Sequence, residues 1–261
     1  MMTPEERAAT LARYYDIDTI DITYDAELYQ QLAHQAGGPV LELAVGSGRL
    51  AIPLALAGHQ VVGIDDDAAM LARARRAWRR SRGAVDAERL TLLEGDLSTF
   101  RSETRFGLAF IAVNTFLLLP GDAERLAVLG MMRDHLRSGG IAAVEVSAPD
   151  QAELAEYDGR LQLEWLRVDP ETGDEVTKSI SARYDPEAET VTITQLFESH
   201  PTHGGPLRRV SRTDVLHLID AADLGRLARE AGFGDVGSGQ DYLLRSPGAR
   251  SHRVILVARS V

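Results

Sequence analysis

The apolar residues of this chain fall into two patterns, one with helical spacing and one of short unbroken runs. Residues 4 to 15 set Pro4 in an acidic first turn followed by Ala, Leu and Arg, which predicts a helix. The next stretch, YYDIDTIDITYD from Tyr14 to Asp25, is aromatic and acidic with no clear period. A second helix is predicted from Ala26 to Gln35, stopped by Gly37-Gly38-Pro39. Five apolar runs follow. They are Val40 to Ala44, QVVGID ending at Asp65, RLTLLEGD ending at Gly95-Asp96, FGLAFIAVN ending at Asn114, and IAAVEVS. Helices are predicted between them: Leu50 to Ala57, Asp67 to about Arg80, and Asp122 to Arg137, the last stopped by Ser138-Gly139-Gly140. Strands alternating with helices imply a doubly wound, mostly parallel α/β sheet. Runs without alternation imply that both faces of that sheet are covered.

After Pro149 the rhythm changes. RLQLEWLRVD, DEVTKSISARYD, ETVTITQLFESH and LRRVSRTDVLHLI are extended stretches separated by turn sequences such as Asp169-Pro170-Glu171-Thr172-Gly173. They read as an inserted antiparallel sheet. Helical spacing returns from Asp220 to Ala231, and GDVGSGQDYLL and SHRVILVAR finish as strands. The expected organisation is an N-terminal helical cap (1–36), a parallel-sheet core (37–150), an inserted antiparallel lid (151–218) and a return to the core (219–261). The cap and the inserted sheet flank the strand ends, which suggests that together they form a lid.

Composition narrows the function. The 261 residues suffice for one α/β domain with an insertion. No cysteine is present, which excludes disulfides, thiolate catalysis and cysteine-ligated zinc and is compatible with a cytoplasmic location. With 39 acids against 28 Lys and Arg, the net charge of −11 disfavours nucleic acid as a bulk partner. The arginine run Arg73 to Arg82 reads as the solvated face of a helix. No stretch of 18 apolar residues occurs and the first ten residues are too polar for a signal peptide, so no membrane partner is expected.

The chemistry gathers at Pro39 to Gly58. A strand carrying one acid, Glu42, turns through Gly46-Ser47-Gly48 into a helix. Glycines let a ligand approach bare backbone, and the N–H groups of such a turn suit an anion. GSGRLA also matches the G-x-G-x-x-A form of a dinucleotide fingerprint. Asp65, Asp96 and Asn114 stand at the carboxyl ends of predicted parallel strands, where open α/β sheets bind ligands. Blander roles fit the same residues. Asp65, Asp66 and Asp67 form a candidate N-cap cluster, Asp96 a turn acid, Asn114 a helix cap, and Met70 a core residue.

Glu42-Leu43-Ala44-Val45-Gly46-Ser47-Gly48, with these strand-end residues and the Gly139-Gly140 entry to the fifth strand, resembles the class I S-adenosylmethionine-dependent methyltransferases. The resemblance is nearest to small-molecule methyltransferases with an antiparallel lid after strand 5. It covers Val40 to Ser147 and resumes at the terminal helix and strands. It implies a Rossmann-like methyltransferase fold with a seven-stranded sheet and S-adenosyl-L-methionine as cofactor. It also implies roles for particular residues. The backbone from Ala44 to Gly48 passes under the methionine part, with Glu42 on the strand leading into it. Asp65 accepts the ribose hydroxyls, Asp66 and Met70 flank the adenine, and Asp96 with the Leu97 N–H reads the adenine edge. Asn114 faces the ammonium, and Arg49 pairs with the carboxylate. Ala44 stands where the family has glycine, which costs little if its φ is negative.

The expected reaction is in-line methyl transfer to a small molecule, to N or O ahead of C or S. An amine needs no strong base, whereas a hydroxyl does. Candidate bases are Tyr15 (or Tyr14), His200, His203 and Glu145. SHPTHGG also reads as a polar hairpin loop, and its His-x-x-His spacing has no third ligand nearby, so no metal is expected. Edges of the inserted sheet suggest a possible homodimer. Two alternatives stay open: a nicotinamide-dependent oxidoreductase on a Rossmann fold, and a non-catalytic S-adenosylmethionine-binding protein.

Overall fold

A computed structural model describes residues 2–202, 204–239 and 253–261. In chain order its elements are α1 (Pro4–Asp18), α2 (Ala26–Ala36), β1 (Val40–Leu43), α3 (Ala51–Leu56), β2 (Val61–Asp65), α4 (Ala68–Ser81), β3 (Leu90–Glu94), β4 (Phe106–Ile111), α5 (Asp122–His135) and β5 (Leu136–Ser147). They continue as α6 (Gln151–Glu156), β6 (Gln162–Val168), β7 (Glu175–Asp185), β8 (Thr190–His200), β9 (Arg208–His217), α7 (Ala221–Glu230), β10 (Phe233–Gly239) and β11 (Arg253–Ser260). Two compact units emerge. One is Ile22–Ala148 with Ile219–Val261, and the other is Met1–Asp21 with Pro149–Leu218.

The larger unit is a seven-stranded sheet in the order β10-β11-β5-β4-β1-β2-β3. Strands β1 to β5 run parallel, and β11 pairs antiparallel with both β5 and β10. Every residue of β1 and β4 is buried, as unbroken apolar runs require of a sheet covered on both faces. Helix α4 shows how its sequence divides: Met70, Leu71, Ala74 and Trp78 are buried, and the arginine run makes the outer face. Its N-cap is Asp67, whose carboxylate accepts the Ala69 and Met70 N–H groups.

Element ends differ from expectation where turns compete with strands. β4 stops at Ile111 rather than Asn114, and β3 at Glu94 rather than Asp96. α5 ends at His135, and Ser138-Gly139-Gly140 lies within β5, where the pairing with β4 shifts register. The strand expected over 234–244 begins at Phe233, and its part beyond Gly239 lies outside the described residues.

Gly37-Gly38 crosses the start of β4 so closely that a Cβ on Gly107 would lie 1.5 Å from the Gly37 carbonyl oxygen. No side-chain rotation relieves a clash with backbone. Gly107→Ala therefore costs more than about 3 kcal/mol of stability. Urea unfolding checks this, and a loss under about 1 kcal/mol contradicts the packing described.

The smaller unit is a four-stranded antiparallel meander, β6-β7-β8-β9, together with α1. Helix α1 runs to Asp18, so the YYDID segment is helical. Its Tyr14 and Ile17 are buried with Val176, Phe197 and Val210 of the sheet. Lys178, the chain's single lysine, is buried beside Asp18 (2.6 Å) and Glu164 (2.9 Å). Asp18 also accepts the Trp165 indole N–H at 2.8 Å. These contacts group α1 with the inserted sheet, while α2 belongs to the larger unit, so the division falls at Asp21 and not at residue 36. Helix α6 was not expected, although the capping box of Asp150 and Glu153 is legible in the sequence.

Candidate active site

The candidate site lies at the carboxyl edge of β1, β2, β4 and β5 in the larger unit. The chain leaves β1 through Ala44 (φ +57°), Gly46 (+55°) and Gly48 (+84°) before entering α3. The φ of Gly48 favours glycine, and a Cβ there would also crowd the Ile52 side chain at 3.0 Å. The condition under which Ala44 would cost little, a negative φ, is not met: this alanine is in the left-handed region that favours glycine. Ala44→Gly accordingly raises stability by about 1 kcal/mol. The melting temperature measures this, and a fall on substitution overturns the assigned strain.

Asp65 ends β2 and is 8 % exposed. One oxygen accepts the Gly46 N–H at 2.7 Å and the other the Asp67 N–H at 2.9 Å. The carboxylate thus fastens the glycine corner to the neighbouring strand. Burial pushes its pKa up, and the two backbone bonds oppose that shift. Each oxygen keeps further lone-pair capacity.

Glu42 lies in β1 and is 4 % exposed. Burial raises its pKa well above the ordinary carboxylate value, chiefly opposed by the Arg49 charge and then by the Ala51 backbone N–H. Its Oε2 has no hydrogen-bond partner among the described residues. A buried carboxylate oxygen without a donor is costly and marks a place for one.

Arg49 forms a bidentate pair with Asp25, at 2.7 and 2.6 Å. Asp25 is 1 % exposed and stands at the N-cap position of α2 without capping it. Two of the guanidinium nitrogens of Arg49, the residue expected to meet a ligand carboxylate, are thus engaged by a carboxylate of the chain itself. Asp25 was not singled out in the sequence, where Asp before Ala-Glu-Leu reads as a cap.

Asp66 is exposed and Met70 buried at the start of α4. Asp96 is exposed in the turn after β3 and accepts the Ser98 N–H and hydroxyl, which lower its pKa. Leu97 follows it, half-buried. Asn114 lies beyond the end of β4, and its side-chain oxygen accepts the Ser147 N–H at 2.8 Å. The structure therefore gathers Glu42, the corner, Asp65, Met70 and the turns at Asp96 and Asn114 on one unit. Tyr15, half-buried on α1, and His200, exposed at the end of β8, belong to the other. His203 lies outside the described residues.

Comparison with known proteins adds the decisive observation: residues 40–140 match the family model described as a methyltransferase domain. The chain carries a methyltransferase domain over these residues. The cypemycin N-terminal methyltransferase of a Streptomyces species is 30 % identical over 128 residues, 48 % of each protein. The chain thus spans about half the length of this curated relative. The CcbJ methyltransferase of Streptomyces caelestis is 26 % identical, with 91 % of this chain and 95 % of that one covered and a TM-score of 0.74. CalS10, an amino pentose methyltransferase from Micromonospora echinaspora solved with S-adenosylmethionine bound, shares the fold. It is 19 % identical with a TM-score of 0.65, over 100 % of this chain and 98 % of that one.

The methyltransferase domain's own residues fit that cofactor. The orphaned, buried Oε2 of Glu42 suits an ammonium, and the left-handed glycines keep side chains clear of a ligand on the corner. Among the described residues no helix is long and apolar enough to cross a membrane.

Proposed function

We propose that the protein transfers a methyl group from S-adenosylmethionine to an amine nitrogen of a small molecule. The observation that carries the choice of nitrogen is that two acids of this edge, Asp25 and Glu145, are already paired with arginines. Asp25 is closed by Arg49, and Glu145 by Arg253 at 2.6 Å, so neither stands ready to take a hydroxyl proton. A neutral amine attacks without prior deprotonation. The curated relative, an N-terminal methyltransferase by its name, supports the same reading.

When bound, the cofactor supplies an electrophilic methyl on a sulfonium. The chain's part is to bind and orient. Glu42 accepts hydrogen bonds from the ammonium, and Asp65 accepts the ribose hydroxyls with the lone pairs its backbone bonds leave. Met70 and Asp66 flank the adenine, while Asp96 and the Leu97 N–H read its edge. Such orientation supplies up to roughly 7–11 kcal/mol of the barrier. Tyr15, His200 and His203 remain candidates for contact with the acceptor.

Incubating the purified protein with S-adenosylmethionine and matched panels of amines, hydroxyls and thiols tests the proposal by mass spectrometry. Methylation confined to amines is expected. Turnover of hydroxyls alone favours O-methylation, and cofactor binding without any turnover favours a binding protein.

A further inference from the structure

Val113 is a second non-glycine residue with left-handed φ at this edge, at +58°. A β-branched residue there is a conformational outlier. Its side chain is 40 % exposed, so burial does not offset the strain. Hydrogen bonds from β5 hold the turn instead. Glu145 accepts the Val113 N–H at 3.4 Å, and two residues later the Ser147 N–H donates to Asn114. Glu145 is 3 % exposed and is itself fixed from other elements. Its Oε1 accepts the Arg253 guanidinium of β11, and its Oε2 accepts the Tyr29 hydroxyl of α2 at 3.1 Å. Tyr29 is fully buried and stacked on Phe110 of β4, with ring centroids 4.3 Å apart. The carboxylate is therefore a rigid anchor set against a strained turn.

We propose that Glu145 is a positioning residue for the cofactor site and not a base: it holds the Val113–Asn114 turn in its left-handed form, and that form sets cofactor affinity. The inference rests on the reading of the glycine corner as the S-adenosylmethionine site, since β4 and β1 are neighbours and their ends form one edge. A carboxylate is the required group because every partner named donates. Glutamine offers only one acceptor end, so its amide NH2 would face a donor, either Arg253 or the Val113 N–H.

A double-mutant cycle with calorimetric titration of S-adenosylhomocysteine tests this. Glu145→Gln lowers affinity about tenfold when residue 113 is valine, and less than about threefold when it is glycine, which adopts positive φ without strain. Val113→Gly alone keeps affinity within about threefold of wild type, and this arm stands even if Glu145→Gln does not fold. Melting temperatures run alongside. A purely structural role for Glu145 predicts equal losses in both backgrounds, which overturns the inference. So does a large loss from Val113→Gly alone. Failure of the wild-type protein to bind S-adenosylhomocysteine defeats the underlying cofactor assignment instead.

Discussion

Asp65→Ala lowers affinity for S-adenosylhomocysteine at least about tenfold, the loss of a charge-assisted pair of hydrogen bonds to ribose hydroxyls. The structure adds a second consequence. Because the carboxylate also accepts the Gly46 and Asp67 N–H groups, its removal frees the corner from β2. A fall in melting temperature is expected with the loss of binding, from two amide donors left without partners. Calorimetry on the variant at a temperature where it remains folded separates the two effects. Unchanged affinity there discards the ribose assignment.

Glu42→Gln has opposite effects on stability and on binding. In the ligand-free protein the pKa of Glu42 is raised by burial from its usual value of 4.5. Protonated below about pH 4.5, the buried group imposes no charge on the interior. As pH rises toward the raised folded pKa, the unfolded chain ionises first, and stability falls by up to about 1.4 kcal/mol per pH unit. The glutamine variant lacks that slope, so at neutral pH it melts higher than wild type. It also loses a carboxylate facing the cofactor's ammonium, and affinity for S-adenosylhomocysteine drops at least about tenfold. Melting curves across pH 4 to 8, paired with titrations, read both effects. A variant that melts lower than wild type at neutral pH, or binds equally well, removes Glu42 from this role.

Much of the architecture was legible from pattern alone. Val40 to Leu43 and Phe106 to Ile111 are buried along their length, as unbroken apolar runs imply. The four strands of the insertion fall where turn sequences divide the extended stretches, because Asp-Pro-Glu sequences initiate turns. Boundaries were lost where short polar side chains compete with backbone pairing. Asn114 reads as the end of a strand, but its amide oxygen takes the Ser147 N–H and the chain turns into a 3-10 helix at Thr115.

At the candidate site the sequence offers positions and residue types but not their conformations. Val113 is an ordinary strand residue by type and announces no left-handed φ, while at Ala44 the hint is the glycine that the family resemblance puts there. The commitment of Arg49 to Asp25 joins residues 24 positions apart, and no local pattern encodes such a pair. Glu145 was legible only as an acid on a strand. Its placement against Arg253 depends on β11 lying beside β5, which is tertiary information.

We propose that the corner from Ala44 to Gly48, with Glu42 and Asp65, holds S-adenosylmethionine. Titration of the ligand-free wild-type protein with S-adenosylhomocysteine and, separately, with NAD tests it most directly. Saturable binding of S-adenosylhomocysteine with a dissociation constant on the order of micromolar, and no heat from NAD, is the predicted result. NAD binding without S-adenosylhomocysteine binding contradicts it.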